Sequence, residues 1–222
     1  DFCLVLWQNV VETDSELTTS WGIDSQYKYA GSYSLTESPG KAYDPAVSSG
    51  AYQPHTSVVT PPINLSGLVS ANATYYHRIY LEPDTGTSCW DAILTKISTD
   101  GTNWNYVLIN GYTERTISTN SQPEEVTGDG YAICGQYTTW TQVSIDLTPY
   151  VGNQTVYIKW SFTADDNTGF DGYNIDNFVV YGKENQNPVI TVSPKFNPDE
   201  ILVGDDTILN LTVTDDSRLS VI

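Results

Sequence analysis

The chain has 222 residues, of which 27 are acidic and 9 are basic, giving a formal net charge of −18. Such a surface repels phosphate backbones and no Lys/Arg cluster offsets it, so we expect no nucleic-acid binding. The hydrophobic fraction of 39% supports a sizeable core. No apolar stretch approaches the roughly 18 residues of a membrane span. We therefore expect neither disorder nor membrane insertion.

Short runs of alternating or β-branched residues, separated by Gly, Pro, Asn and Asp, predict strands rather than helices along the chain. The predicted strands are residues 2–10, 33–36, 57–59, 73–81, 92–98, 104–109, 141–146, 155–163 and 174–181. Asp100-Gly101 predicts a type I′ hairpin turn after one of them. Many short strands with frequent turns indicate an all-β fold, a two-sheet antiparallel β-sandwich of the jelly-roll type.

Two long irregular segments, residues 37–56 and 110–137, interrupt the strands. Long loops in compact domains are commonly functional, and exposed aromatic rings stack on sugar faces. The aromatic residues of such loops are candidates for ligand contact, namely Tyr43, Tyr52, Trp90, Tyr131 and Tyr137. Trp104, Trp140 and Trp160 lie within strand patterns, and we expect them to be structural.

Three cysteines, Cys3, Cys89 and Cys134, give an odd count. In a secreted protein this implies one disulfide and a leftover thiol. We favour a Cys89–Cys134 disulfide, with Cys3 pairing outside this sequence. The alternative is three buried free thiols, because spacing does not determine connectivity.

The strand pattern breaks at a polar linker, residues 183–187, and residues 188–222 then carry two or three further strands. About 35 residues are too few for an immunoglobulin-like sandwich, which needs roughly 100. We therefore predict a first domain over residues 1–182 and only part of a second. The sequence starts at Asp1 and lacks methionine, which is expected of a piece of a larger protein.

Six segments occur in an order that resembles a known family. They are residues 31–40 (GSYSLTESPG), 60–67 (TPPINLSG), 77–82 (HRIYLE), 98–104 (STDGTNW), 140–150 (WTQVSIDLTPY) and 171–176 (DGYNID). This order resembles the MAM-like jelly rolls of immune inhibitor A peptidases, cleaved adhesins and other secreted microbial proteins, over residues 20–182. The tail resembles the Ig-like repeats that often follow such modules.

The resemblance implies a sandwich that binds calcium, a cation that prefers six to eight hard oxygen ligands. One ligand group would pair Glu12 with Asp176 and carbonyl oxygens near Gly31. The second would combine acidic residues of several segments: Glu37, Glu82, Asp91 and Asp171. Glu37 stands where the family usually has Asp. The alternative is that all of these are ordinary exposed acids in turns.

No catalytic motif is recognisable, since the two histidines, His55 and His77, lack an H-E-x-x-H context and no G-x-S-x-G is present. We therefore expect a non-catalytic, calcium-stabilised module for adhesion or for carbohydrate or protein binding, within a larger secreted or cell-surface protein. Its partner would be a glycan or a surface protein.

Two alternatives remain open. One is a structural subunit of a surface layer or filament, self-assembled by strand addition through the apolar first strand and the tail. The other is an accessory domain of a secreted peptidase.

Overall fold

The structure is a computed structural model that describes residues 8–11, 20–43, 55–82, 86–112, 115–117, 131–164, 168–184, 189–191, 212–214 and 219–221. Its strands are β1 (Gln8–Val11), β2 (Gly22–Asp24), β3 (Ser34–Thr36), β4 (His55–Val59), β5 (Leu68–Tyr80), β6 (Ser88–Cys89), β7 (Ala92–Ser98), β8 (Asn105–Tyr106), β9 (Thr116–Ile117), β10 (Gln136–Asp146), β11 (Tyr157–Thr163), β12 (Gly172–Glu184), β13 (Val189–Thr191), β14 (Thr212–Thr214) and β15 (Leu219–Val221). A 3-10 turn lies at Thr148–Tyr150. None of the helices in the described residues is long and apolar enough to span a membrane.

Two antiparallel sheets form the body of the fold. The five-stranded sheet has the order β1-β4-β11-β7-β8. The six-stranded sheet has the order β10-β5-β12-β3-β2, with β15 also paired to β12. The buried core draws on strands of both sheets, so the sheets pack face to face. This architecture confirms the predicted all-β antiparallel sandwich.

Alternation along each strand sends every second side chain into the core. On β11 these are Ile158, Trp160 and Phe162, all fully buried. Each large apolar side chain contributes about 1.5–3 kcal/mol on burial. Trp160 Nε1 donates a hydrogen bond to Tyr75 Oη of the opposite sheet at 3.2 Å, so even the polar atom of the largest core residue is satisfied.

A second, smaller core covers the outer face of the five-stranded sheet. The structure forms the Cys89–Cys134 disulfide that the sequence favoured, with a Cα–Cα distance of 5.7 Å. Its cysteines pack with Ala92 and Leu94, which point outward from β7. All of β7 is consequently buried, on one face by the main core and on the other by this disulfide-braced cover.

The predicted type I′ turn at Asp100-Gly101 is wrong. Gly101 has a positive φ of 76°, but Asp100 is not among the residues with positive φ, and a type I′ turn requires both. Instead the Asp100 carboxylate accepts hydrogen bonds from the backbone N–H groups of Thr102 at 2.8 Å and Asn103 at 2.7 Å. The loop is therefore wider, and β7 pairs with β8 at two positions, Lys96 opposite Tyr106 and Ile97 opposite Asn105.

The predicted boundary at residue 182 falls inside a strand, because β12 continues to Glu184 in the predicted linker. Strand β15 of the tail pairs with β12, and β13 pairs with β14. The described part of the first strand, β1, pairs with β4 of its own sheet. A separate Ig-like unit over residues 188–222 stays a prediction, and Cys3 lies outside the described residues.

Candidate functional site

The outer face of the six-stranded sheet carries a cross-strand row of polar and aromatic side chains. Gln142 of β10 lies opposite Tyr76 of β5, and Tyr76 lies opposite Asp176 of β12. Since side chains alternate between the faces of a sheet, the neighbouring Tyr75 and His77 point into the core. The row therefore presents groups to the solvent side of the sheet.

A bulge in β12 opens a cavity beside this row. The register shifts between Asp176 and Val179, and Asn177 adopts a positive φ of 50°, a conformation that Asn tolerates better than most residues. The resulting cavity has a volume of about 390 Å³. It is lined by Thr74, Tyr76, Gln142, Asp176, Asn177, Phe178 and Val179. We call it the bulge cavity.

Two further aromatic rings cluster with Tyr76 of the bulge cavity. Tyr29 stacks on Tyr76 with ring centroids 3.6 Å apart and an interplanar angle of 10°. Trp140 meets Tyr29 edge-on at 6.3 Å. Tyr29 is 44% exposed, and Trp140 is half-buried. These three residues form an aromatic platform at the mouth of the cavity.

The platform depends on the loop between β2 and β3, and Asp176 holds that loop in place. Its Oδ2 accepts hydrogen bonds from the backbone N–H groups of Tyr29 at 2.8 Å and Ala30 at 3.0 Å. Charge-assisted acceptors of this kind are stronger than neutral ones. One carboxylate of the cavity wall thus also fixes the loop that carries the outermost ring.

A second anchor of the same loop involves Asp171. Tyr27 Oη donates to Asp171 Oδ2 at 2.7 Å, and Arg78 pairs with the same oxygen at 3.1 Å. The Arg78 guanidinium also lies over the Tyr27 ring, 3.7 Å from its centroid. The hydrogen bond to Asp171, burial and the charge of Asp171 raise the pKa of Tyr27.

A second cavity, of about 330 Å³, lies at the outer edge of β10. It is lined by Asn110, Gly111, Tyr112, Arg115, Ile133, Cys134, Tyr137, Thr141, Gln142 and Val143. Tyr137 is 50% exposed there. We call it the edge cavity.

Tyr112 of the edge cavity is held by a buried hydrogen-bond chain. Its hydroxyl lies 2.7 Å from His77 Nε2, and His77 Nδ1 lies 3.0 Å from the Tyr173 hydroxyl. Tyr173 in turn donates to Tyr75 at 3.4 Å. Burial lowers the pKa of His77 to about 4. His77 is therefore a neutral structural residue at pH 7.

The predicted calcium ligands of the second group are divided between two places. Asp91 and Glu37 are both fully buried, and the Tyr43 hydroxyl donates a hydrogen bond to Asp91 Oδ2. Burial, the charge of Asp91 and, more weakly, that of Glu37 raise the pKa of Tyr43. The backbone N–H of Glu82 also donates to the Tyr43 hydroxyl, at 3.3 Å. Asp171, by contrast, belongs to the Arg78 ion pair.

Glu37 accepts hydrogen bonds from the protein backbone. Its two oxygens lie 3.0 and 3.1 Å from the backbone nitrogen of Tyr173, which donates to them. Gly172 makes this approach possible, since a Cβ there would lie 1.8 Å from Glu37 Oε1. Burial raises the pKa of Glu37 to about 7.

Of the first calcium group, Glu12 lies outside the described residues, Asp176 anchors the β2–β3 loop, and Gly31 lies in that loop with a φ of 64°. Across the described ranges, no three His, Cys, Asp or Glu side chains form a metal cluster on their own. The buried carboxylates near Tyr43 are nevertheless hard oxygen donors, which fit calcium if carbonyl oxygens or waters complete the set.

The residues predicted to contact a ligand also differ in burial and position. Tyr43 is only 1% exposed and packs in the core, which corrects its prediction as a loop residue that stacks on a ligand. Tyr131 stacks on Tyr106 at 5.8 Å, and Trp90 is half-buried. Tyr137 lines the edge cavity. Tyr52 lies outside the described residues.

The sequence did not single out the aromatic platform. Trp140, predicted to be structural, is instead part of an exposed cluster, whereas Trp160 is a core residue as expected. A signal was available, because the segment 136–142 (QYTTWTQ) has polar residues on both faces. Such a strand is not fully buried on either side, which fits the half-buried position of its tryptophan.

Comparison with known proteins leaves the family open. No family model and no curated protein matches the chain. Among solved structures it is similar to the K3 and K1 cleaved adhesin domains of Lys-gingipain from Porphyromonas gingivalis. The K3 domain is 15% identical, with a TM-score of 0.44 over 79% of this chain and 91% of that one. The K1 domain is 17% identical, with a TM-score of 0.43 over 79% and 90%.

A CBM35 from Paenibacillus barcinonensis is 18% identical, with a TM-score of 0.34 over 78% of this chain and 97% of that one. Similarities this distant do not assign the chain to a family.

Proposed function

We propose that this domain is a non-catalytic module that binds a glycan on the outer face of its six-stranded sheet. The observation that carries the proposal is the aromatic platform of Tyr29, Tyr76 and Trp140 at the mouth of the bulge cavity. In the larger protein, such a module would serve adhesion to a surface that displays the glycan.

The chemistry of the site suits a sugar. A pyranose ring presents apolar C–H groups on its faces and hydroxyls around its rim. Aromatic rings pack against the C–H faces, while precisely placed polar groups fix the orientation. The cavity supplies such polar groups from Gln142, Thr74 and Asn177. A surface with a net charge of −18 favours a neutral ligand over an anionic one.

The buried Cys89–Cys134 disulfide supports an extracellular setting for this activity. Disulfides persist in oxidising compartments and are rare in the cytosol. We therefore place the domain in a secreted or cell-surface protein.

A glycan array followed by calorimetric titration tests the proposal. Wild-type protein is expected to bind at least one class of oligosaccharide. Trp140→Ala and Tyr29→Ala should each weaken that binding about 30-fold, which is the usual cost of losing a central aromatic contact. The matched control is Trp104→Ala, because Trp104 lies over Lys159 on the other sheet, 4.3 Å from its ammonium. Absence of binding to any glycan, or equal loss in all three variants, would refute the proposal.

We further propose that calcium stabilises the fold through Glu37 and Asp91, with Glu82 nearby. Two fully buried carboxylates, whose charges both raise the pKa of Tyr43, support a bound cation, since buried charges need compensation. Calcium would hold both carboxylates ionised and join β3, which ends next to Glu37, to the segment that precedes β7.

Thermal unfolding in calcium and in EDTA tests this proposal. Calcium at about 100 times its Kd should raise the Tm by about 5–10 °C. Glu37→Gln and Asp91→Asn should abolish the increase, and the control Asp171→Asn should keep it, because Asp171 pairs with Arg78 instead. An equal Tm in calcium and EDTA for wild-type protein would exclude calcium as a stabiliser.

A further inference from the structure

The bulge cavity and the edge cavity lie on either side of one side chain. Gln142 lines both of them. On the bulge side it neighbours Tyr76, its cross-strand partner. On the edge side it lies with Thr141 and Val143 of its own strand. Gln142 is exposed, so it forms a shared rim rather than a buried partition.

The two cavities also follow the cross-strand rows of the sheet. One row runs through Asp176, Tyr76 and Gln142. The adjacent row runs from Val179 through Thr74 to Ser144.

The adjacent row continues past the edge of the sheet through Asn110. Its backbone N–H donates to the Ser144 carbonyl at 3.1 Å, and its Nδ2 donates to Ser144 Oγ at 2.8 Å. These contacts carry the row from β12 across β5 and β10 to the segment that contains Asn110. Neighbouring strands are about 4.8 Å apart, so the row spans roughly 10 Å from β12 to β10.

The edge cavity repeats the kind of chemistry found at the bulge cavity. Tyr137 offers a half-exposed ring, and Tyr112 is fixed by its contact with His77. Asn110 and Arg115 add hydrogen-bonding side chains to the lining. Aromatic faces with polar neighbours therefore occur at both ends of one path across the strands.

From this arrangement we propose that the ligand is an extended oligosaccharide, whose successive sugar units occupy the bulge cavity and the edge cavity and pass over Gln142. This inference rests on the proposed glycan-binding function and adds to it the length and direction of the ligand. The platform of Tyr29, Tyr76 and Trp140 holds one end of the bound segment, and Tyr137 holds the other. The chain runs across the strands rather than along them.

Calorimetric titration with neutral oligosaccharides of increasing length tests the inference. The probes are the cello-, xylo-, manno- and chito-oligosaccharide series from disaccharide to hexasaccharide. For the series that binds, the tetrasaccharide should bind at least about tenfold more tightly than the disaccharide, which corresponds to ~1.4 kcal/mol. Affinity should then level off once both cavities are filled.

Three variants separate the contributions of the edge cavity, the aromatic platform and the other sheet to binding. Tyr137→Ala should remove the gain in affinity with ligand length, so that its tetrasaccharide Kd rises towards the wild-type disaccharide Kd. Tyr29→Ala should weaken disaccharide and tetrasaccharide alike. Trp104→Ala, on the other sheet, should leave the length dependence intact.

Each outcome distinguishes the two proposals. Disaccharide binding with no gain on lengthening, or a gain that survives in Tyr137→Ala, overturns the extended ligand and leaves the proposed function standing. Failure of every series to bind overturns both. A length gain that is lost in Tyr137→Ala and retained in Trp104→Ala supports the extended ligand.

Discussion

The outer faces of the two sheets differ in how far they are covered. Every residue of β7 in the five-stranded sheet is buried, whereas most of β10 in the six-stranded sheet is exposed. On β7 the outward residues Ala92 and Leu94 are small or apolar, and the disulfide-braced cover packs on them. On β10 the outward Gln142 borders open cavities. One face is thus used for stability, and the other is available to a ligand.

Removal of the disulfide should have the largest effect on this contrast. The Cys89–Cys134 bridge closes a loop with a sequence separation of 45. Loop-closure entropy for that length predicts a loss of about 4 kcal/mol in the free energy of unfolding for the double variant Cys89→Ala/Cys134→Ala. Denaturant unfolding measures it. A loss below about 1 kcal/mol would show that the cover contributes little to stability.

Acidification should affect the core beneath the edge cavity. The pKa of His77 is lowered from 6.5 to about 4 by burial. Above pH 6.5 the histidine is neutral in the unfolded state as well, so protonation of His77 takes nothing from the free energy of unfolding. As the pH falls from 6.5 towards 4, the unfolded state binds the extra proton and stability is lost, by up to about 3 kcal/mol.

The variant His77→Gln isolates this effect, because the raised pKa of Glu37, about 7, acts in the opposite direction over part of the same range. We expect the difference in unfolding free energy between wild-type protein and His77→Gln to shrink steadily between pH 6.5 and pH 4. A difference that is constant with pH would show that His77 is not neutral and buried in the folded protein.

A smaller effect is expected where the β2–β3 loop is anchored to the six-stranded sheet. Asp171→Asn removes the charge that Arg78 pairs with at 3.1 Å. The pair is only partly enclosed, so the loss should be about 1 kcal/mol. Thermal unfolding measures the loss, and glycan titration should show a modest weakening because Tyr29 lies on the same loop. Unchanged stability together with unchanged glycan binding would show that the Asp171–Arg78 pair supports neither the fold nor the proposed binding face.

The local features of the fold were predictable where they depend on alternation. The pattern of residues 92–98 and 155–163 gave strands that match β7 and β11 closely. The hairpin after β7 was misjudged, because side-chain hydrogen bonding by Asp100 overrode the intrinsic preference of Asp-Gly for a tight turn. The sequence shows that Asp100 can either enter a tight turn or accept backbone hydrogen bonds, but it does not show which of the two is formed.

The candidate sites were harder to predict because they combine distant segments. Asp171 and Asp176 are neighbours in sequence, yet one pairs with Arg78 and the other with the backbone of Tyr29. Tyr43 sits in a segment with loop composition but is buried by its contacts with Phe162 and Asp91. Stacking of Tyr29 on Tyr76 requires the β2–β3 loop to fold over the sheet. The spacing of residues in the sequence does not specify these contacts between distant segments.

The central claim is that the outer face of the six-stranded sheet, and not that of the five-stranded sheet, binds the ligand. Calorimetric titration of wild-type protein, Trp140→Ala and Trp104→Ala with one tetrasaccharide tests it most directly. We expect Trp140→Ala to bind about 30-fold more weakly and Trp104→Ala to bind within about twofold of wild type. A greater loss in Trp104→Ala than in Trp140→Ala would contradict the claim.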